Sequence, residues 1–157
     1  MEIIELKERE NLTADPKAKM IYARFKTFLK EINEKNLPDE TVRTINQKIE
    51  ELNAVPVSGN SFKRPLLKKQ QQITKLLEQG YKIVPKNYYR NLWLVLGMSV
   101  FGIPIGAAYG ASMGNMGLLS IGLPIGMAIG IAVGSGMDKK AFKDGRQLNV
   151  ELKGGMC

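Results

Sequence analysis

Between Arg90 and Asp138 the sequence has no charged side chain, and those forty-seven residues are one phrase written twice. Phe101-Gly-Ile-Pro-Ile-Gly-Ala-Ala-Tyr-Gly-Ala-Ser-Met-Gly114 returns twenty residues later as Ile121-Gly-Leu-Pro-Ile-Gly-Met-Ala-Ile-Gly-Ile-Ala-Val-Gly134. Gly102, Gly106, Gly110 and Gly114 align with Gly122, Gly126, Gly130 and Gly134, while Gly97 matches Gly117 and Pro104 matches Pro124. A membrane-spanning helix takes about 20 apolar residues. The stretch is too long for one span and long enough for two joined by a short turn. Lipid offers the backbone no hydrogen-bond partner, so such segments are helices. The expected spans run from about Tyr89 to Ser112 and from about Gly117 to Met137, with the turn near Met113 to Met116.

The four-residue glycine period predicts close helix packing. Gly102, Gly106, Gly110 and Gly114 share one slowly rotating stripe, and Gly122, Gly126, Gly130 and Gly134 form its copy. Glycine is a poor helix former, about 1 kcal/mol worse than alanine in a water-exposed helix. Its use at a fixed period lets backbones approach where side chains would hold them apart. Pro104 and Pro124 each remove a hydrogen bond four residues back and are expected to kink their helices. The pattern leaves two arrangements open. The stripes face each other within one chain as a compact anchor, or they also pack neighbouring subunits around a pore. A single hairpin encloses nothing, so a pore requires several copies, lined by small residues and by Ser99, Ser112, Ser120 and Ser135.

Charge adds an orientation. Residues 1–60 carry ten basic and eleven acidic side chains, whereas residues 63–90 carry eight basic ones against Glu78 alone, and the chain after Met137 adds five basic to three acidic. Lys and Arg on both flanks of the apolar stretch put both termini on the cytoplasmic side of the membrane. Lys63, Arg64, Lys68, Lys69, Lys86 and Arg90 are the candidate contacts for lipid head groups or another anionic ligand. Tyr88, Tyr89 and Trp93 beside Lys86 and Arg90 form the aromatic and basic signature of a membrane–water interface.

The remainder reads as helix, making the chain all-α. Asp15-Pro16 opens a helix ending near Lys35, with Asp15 as its cap and Ile21, Phe25, Phe28, Leu29 and Ile32 at helical spacing. A second helix begins at Pro38-Asp39-Glu40, with Val42, Ile45, Ile49 and Leu52 as its stripe. After a loop containing Pro56, Ser58, Gly59 and Asn60, a third runs from about Arg64 to Gln79 and is stopped by Gly80. Met1 to Asn11 fits a strand or a first helical turn equally. Val84-Pro85 interrupts any continuing helix. The expected divisions are a cytoplasmic helical assembly and sensor domain at 1–80, a basic aromatic connector at 81–90, the hairpin at 91–137 and a cytoplasmic tail at 138–157. A bundle this small is marginal alone and points to a homo-oligomer.

Enzymatic chemistry is not expected. There is no histidine, the one cysteine is the final residue Cys157, and no Gly-Lys-Ser/Thr phosphate loop occurs. Without a His or Cys cluster no metal site is expected, and no cofactor. Gly154-Gly155-Met156-Cys157 does not make a prenylation box, and Met1 to Glu10 lacks the apolar core of a signal peptide.

The doubled Gly-x-Pro-Ile-Gly-x-x-x-Gly-x-x-x-Gly followed by Met137-Asp138-Lys139-Lys140-Ala141 resembles small bacterial glycine-zipper membrane proteins with two spans, over residues 90–141. A small cytoplasmic helical domain joined to two spans also resembles membrane effectors of anti-phage defence systems, such as the Hailong type. That resemblance implies an oligomeric ion-channel-like protein controlled by a nucleotide or single-stranded DNA oligomer from a partner enzyme. The alternative is a non-conducting anchor or scaffold holding a partner at the cytoplasmic face.

Overall fold

A computed structural model describes residues 1–9, 16–56, 62–115, 117 and 119–152. The chain is all-α, with five helices and no strand among the described residues. They are α1 (Pro16–Asn33), α2 (Asp39–Ala54), α3 (Lys63–Tyr81), α4 (Tyr88–Ser112) and α5 (Leu119–Lys143). The expected cap at Asp15, the loop residues Ser58, Gly59 and Asn60, the turn residue Met116 and the terminal cysteine lie outside the described residues. The chain forms two compact units: Met1–Lys86 with the described residues from Leu148 onward, and Asn87–Gln147.

In the first unit the apolar stripes meet as their spacing predicts. Phe25, Phe28 and Ile32 of α1, Ile45, Ile49 and Leu52 of α2, and Leu66, Ile73 and Leu77 of α3 are all buried. Removing each such side chain from water contributes about 1.5–3 kcal/mol. Two segments without helical periodicity complete this core. Residues 1–9 form neither helix nor strand and bury Leu6, and residues 148–152 bury Leu148 and Val150. The latter stretch, expected within a tail, is tied by hydrogen bonds from Leu148 N–H to Val84 O (2.8 Å) and from Lys86 N–H to Val150 O (3.0 Å).

The expected stop of α3 needs correction. Gly80 lies inside the helix, and Lys82 adopts the left-handed terminating conformation at φ 56°, its N–H reaching Glu78 O at 3.0 Å. Ile83 and Val84 are buried immediately afterwards, so burying them fixes where the chain must turn, ahead of glycine's preference for that turn.

The second unit is an antiparallel helical hairpin. α4 and α5 are 25 residues each and long and apolar enough to cross a membrane by length and composition. Only about a fifth of an 18-residue apolar stretch of each is buried, 17% and 22%, whereas the core helix of a soluble protein is mostly buried. Both helices end with the same hydrogen-bonded cap. Gly114 (φ 62°) and Gly145 (φ 66°) take the left-handed position, with Asn115 N–H to Gly110 O at 3.0 Å and Arg146 N–H to Ala141 O at 2.9 Å.

Candidate functional site

The hairpin has a core made almost wholly of glycine. Its buried positions among the described residues are Gly97, Gly102, Gly106, Gly110, Gly122, Gly126, Gly130 and Gly134, joined by Tyr89, Asp138 and Ala141 near the open end. A Cβ built on Gly126 would stand 2.5 Å from Gly102 N, and one on Gly134 2.5 Å from the Arg90 Cα. One on Gly122 would stand 2.7 Å from the Gly106 Cα, and one on Gly97 2.8 Å from the Gly130 Cα. Real Cβ contacts essentially never fall below 3.0 Å, so no other residue fits unless the backbones separate. At such a distance the helices gain dispersion and weak Cα–H···O contacts that larger side chains would prevent.

Two glycine assignments change. Among the described residues nothing lies within 4 Å of the Gly114 Cβ position, and its left-handed backbone closes α4 at the turn. Gly97, outside the four-residue stripe, does pack. In an α-helix, at about 100° per residue, positions five apart fall some 140° away from each other's face. Residues Met98–Gly102 instead form a π-helical turn, with Ile103 N–H bonded to Met98 O. That turn takes up an extra residue and brings Gly97 back onto the stripe. The signal lay in the five-residue gap between Gly97 and Gly102, which strict α periodicity discards.

The two prolines are not equivalent. Pro104 follows the π turn directly, whereas Pro124 sits inside uninterrupted α-helix. Both are exposed on the side away from the glycines. With them on the second helix lie Ser120, Ala128, Ala132 and Gly136, every fourth residue and all exposed, and on the first helix Ala108 and Ser112. Ser99 and Ser120 donate to carbonyls of their own chain, Val95 O at 3.1 Å and Gly117 O at 3.0 Å, which hides the hydroxyls from an apolar surrounding.

Asp138 holds the open end together. Its carboxylate accepts the backbone N–H of Tyr89 (3.1 Å) and of Arg90 (2.9 Å), in the first turn of α4, where the helix itself offers N–H groups no acceptor. Asn87, at the cap position, makes no side-chain cap bond, so Asp138 supplies the anion that the helix start favours. It is 7% exposed. The sequence places Asp138 only as the first charge after the apolar stretch. Its role is visible once the antiparallel pairing sets the end of one span beside the start of the other.

The expected anchors and cations separate. Tyr89 is buried against Tyr88, their rings edge to face at 5.3 Å, while Tyr88 and Trp93 are half-buried. Arg64, Lys68 and Lys86 are exposed, Lys63 and Arg90 half-buried, and Lys69 forms an ion pair with Glu51. That partner ammonium hydrogen-bonds the Glu51 carboxyl and holds it below its ordinary range. Comparison with protein-family models, curated proteins and solved structures finds no match.

Proposed function

We propose that the chain is a homo-oligomeric protein of the bacterial inner membrane whose hairpins assemble into a pore gated through the N-terminal helical unit. The observation that carries this is the distribution of small residues on the hairpin. The glycines close each hairpin on itself, and further small residues at four-residue spacing, from Ser120 to Gly136, remain on the outer face. A lipid-facing anchor has no need of small residues there. A helix that must approach the backbone of a neighbour does. Pro104 and Pro124 lie on these outer faces, where each leaves a backbone carbonyl without its helical donor. Such carbonyls are costly in lipid and tolerable where a neighbouring helix or its ordered water meets that face.

Both termini are assigned to the cytoplasm, where Lys63, Arg64 and Lys68 offer a cationic surface to an anionic ligand. A nucleotide or DNA oligomer acting there as the controlling ligand places the protein among anti-phage effectors. The test is ion flux through liposomes holding the full-length protein, with and without oligonucleotide. Flux that responds to oligonucleotide supports the reading; no flux in any ligand state, with the protein inserted, overturns the pore.

One observation favours a second reading, a non-conducting anchor. The repeated glycines, the strongest packing signal in the chain, are consumed inside a single hairpin. On that reading Gly136→Leu leaves every property of the protein in the membrane unchanged.

A further inference from the structure

We infer that the last turn of α5, at the open end of the hairpin, is a docking site for an anionic phospholipid. Lys139 and Lys143 take its phosphate, and Phe142 packs on its glycerol and upper acyl region. The inference rests on the reading of the hairpin as membrane-spanning. Two observations place the edges of the hydrocarbon. Asp138 is level with the start of α4, because its carboxylate takes the Tyr89 and Arg90 N–H groups. At the other end Tyr109 stands 52% exposed, nineteen residues beyond Arg90. That many helical residues rise about 28 Å, close to the roughly 30 Å of a hydrocarbon core. Aromatic side chains favour both edges of that core. One edge therefore lies at Arg90 and Asp138 and the other near Tyr109.

The second span does not stop at that edge. α5 continues to Lys143, and Phe142 lies four residues past Asp138, about 6 Å farther out. The polar head-group layer is about 5–7 Å deep on each side, so Phe142 falls within it. It is 69% exposed, although only about 40° around the helix from the buried Asp138. α4 begins at Tyr88, so the hairpin has no helix opposite Phe142 to cover it. A phenylalanine in water forgoes the free energy of burial, and among glycerol and upper acyl groups it recovers it.

The free charges around Phe142 have one sign. Lys139 lies one turn before it and Lys143 one turn beyond Lys139, so the three form a single patch. Lys139, Lys140 and Lys143 are exposed, and none joins an ion pair among the described residues. The nearby acids already have partners: the two α4 N–H groups for Asp138, and the Arg146 guanidinium for Asp144. Basic residues in a last turn also suit the helix dipole. That accounts for the lysines but not for an exposed phenylalanine among them. A lipid whose phosphate has no compensating amine accounts for both, since the phosphate meets the lysines and the chain below it meets Phe142. Each lysine near the surface gives about a fivefold preference for an anionic over a neutral membrane.

The test uses full-length protein in phosphatidylcholine vesicles. They are doped with phosphatidylglycerol brominated high on its acyl chains, or with the same fraction of phosphatidylcholine brominated there. Bromine quenches a nearby indole. Trp93 is the chain's only tryptophan, so the unaltered protein reports insertion, and Phe142→Trp in a Trp93→Phe background reports the site. The expected result is stronger quenching of the Phe142→Trp protein by the brominated phosphatidylglycerol. Adding Lys139→Gln and Lys143→Gln should lower that preference by more than about tenfold, and Lys139→Arg with Lys143→Arg should keep it. Equal quenching by the two lipids, or a preference that the glutamines leave unchanged, overturns the inference. An unquenched Phe142→Trp protein beside a quenched Trp93 also overturns it alone, because the hairpin is then inserted and Phe142 is not in lipid. An unquenched Trp93 overturns the membrane reading with it.

Discussion

A methyl group at Gly126 would press into the backbone of Gly97 and Gly102, whereas one at Gly136 meets nothing within 4 Å. The contrast separates the roles of the two small-residue stripes. Overpacking a close contact costs about 1–3 kcal/mol, so Gly126→Ala should lower hairpin stability by that order, read as earlier unfolding in a denaturing-detergent titration. Gly136→Leu should leave that transition in place and reduce the oligomer's native mass; an unchanged oligomer would remove the outer face from assembly. At the open end, Asp138→Ala removes the carboxylate that accepts the Tyr89 and Arg90 N–H groups. Loss of a cap costs about 0.5–2 kcal/mol, and Asp138→Asn should restore most of it, since asparagine caps comparably. If alanine and asparagine unfold alike, the carboxylate is not acting as a cap.

Among the elements, the π turn at Met98–Gly102 has the most specific consequence. It predicts that Gly97→Leu damages the hairpin as severely as Gly126→Leu in the same detergent titration. A simple four-residue stripe would predict a mild effect at Gly97. The N-terminal segment is the second case. Its backbone partners are asparagines, so Asn46→Ala strands Ile4 N–H and Glu2 O together. With Glu2 exposed and Ile4 half-buried, the expected cost is about 0.5–1.5 kcal/mol per lost hydrogen bond, visible in the thermal unfolding of the full-length protein. Helix positions in the first unit were legible because Phe25, Ile45, Ile73 and their neighbours recur at helical spacing. Residues 1–9 were not, because a segment that is neither helix nor strand and is bound by side-chain amides leaves no period of its own. Gly80 misled for a related reason: burial of Ile83 and Val84 sets the end of α3 at Lys82, and propensity alone does not register burial.

For the whole molecule, the division into two units follows composition. Mixed charged and apolar residues build a core of large side chains, and the uncharged stretch builds a core of glycines with its large side chains outside. The return of Leu148 and Val150 to the first unit was hidden, since a short apolar pair in a polar tail has no partner that sequence can name. Stability of the first unit should depend on acid in one sense. Glu51, held below its ordinary value of 4.5 by its hydrogen bond from Lys69, contributes above that value and loses its contribution as pH falls through its lowered folded pKa. Its melting temperature should hold from about pH 7 to pH 5 and fall below roughly pH 4, less steeply in Glu51→Gln. The central claim is that the hairpin crosses the membrane twice, with the chain on either side of it in one compartment. Single cysteines at Glu2, Asn115 and Arg146, in a Cys157→Ser background, test it with a membrane-impermeant thiol reagent on intact cells. The account predicts that the Asn115 cysteine is labelled from outside and the other two only after permeabilisation. Labelling of the Asn115 and Arg146 cysteines together, or recovery of the protein in the soluble fraction, would contradict it.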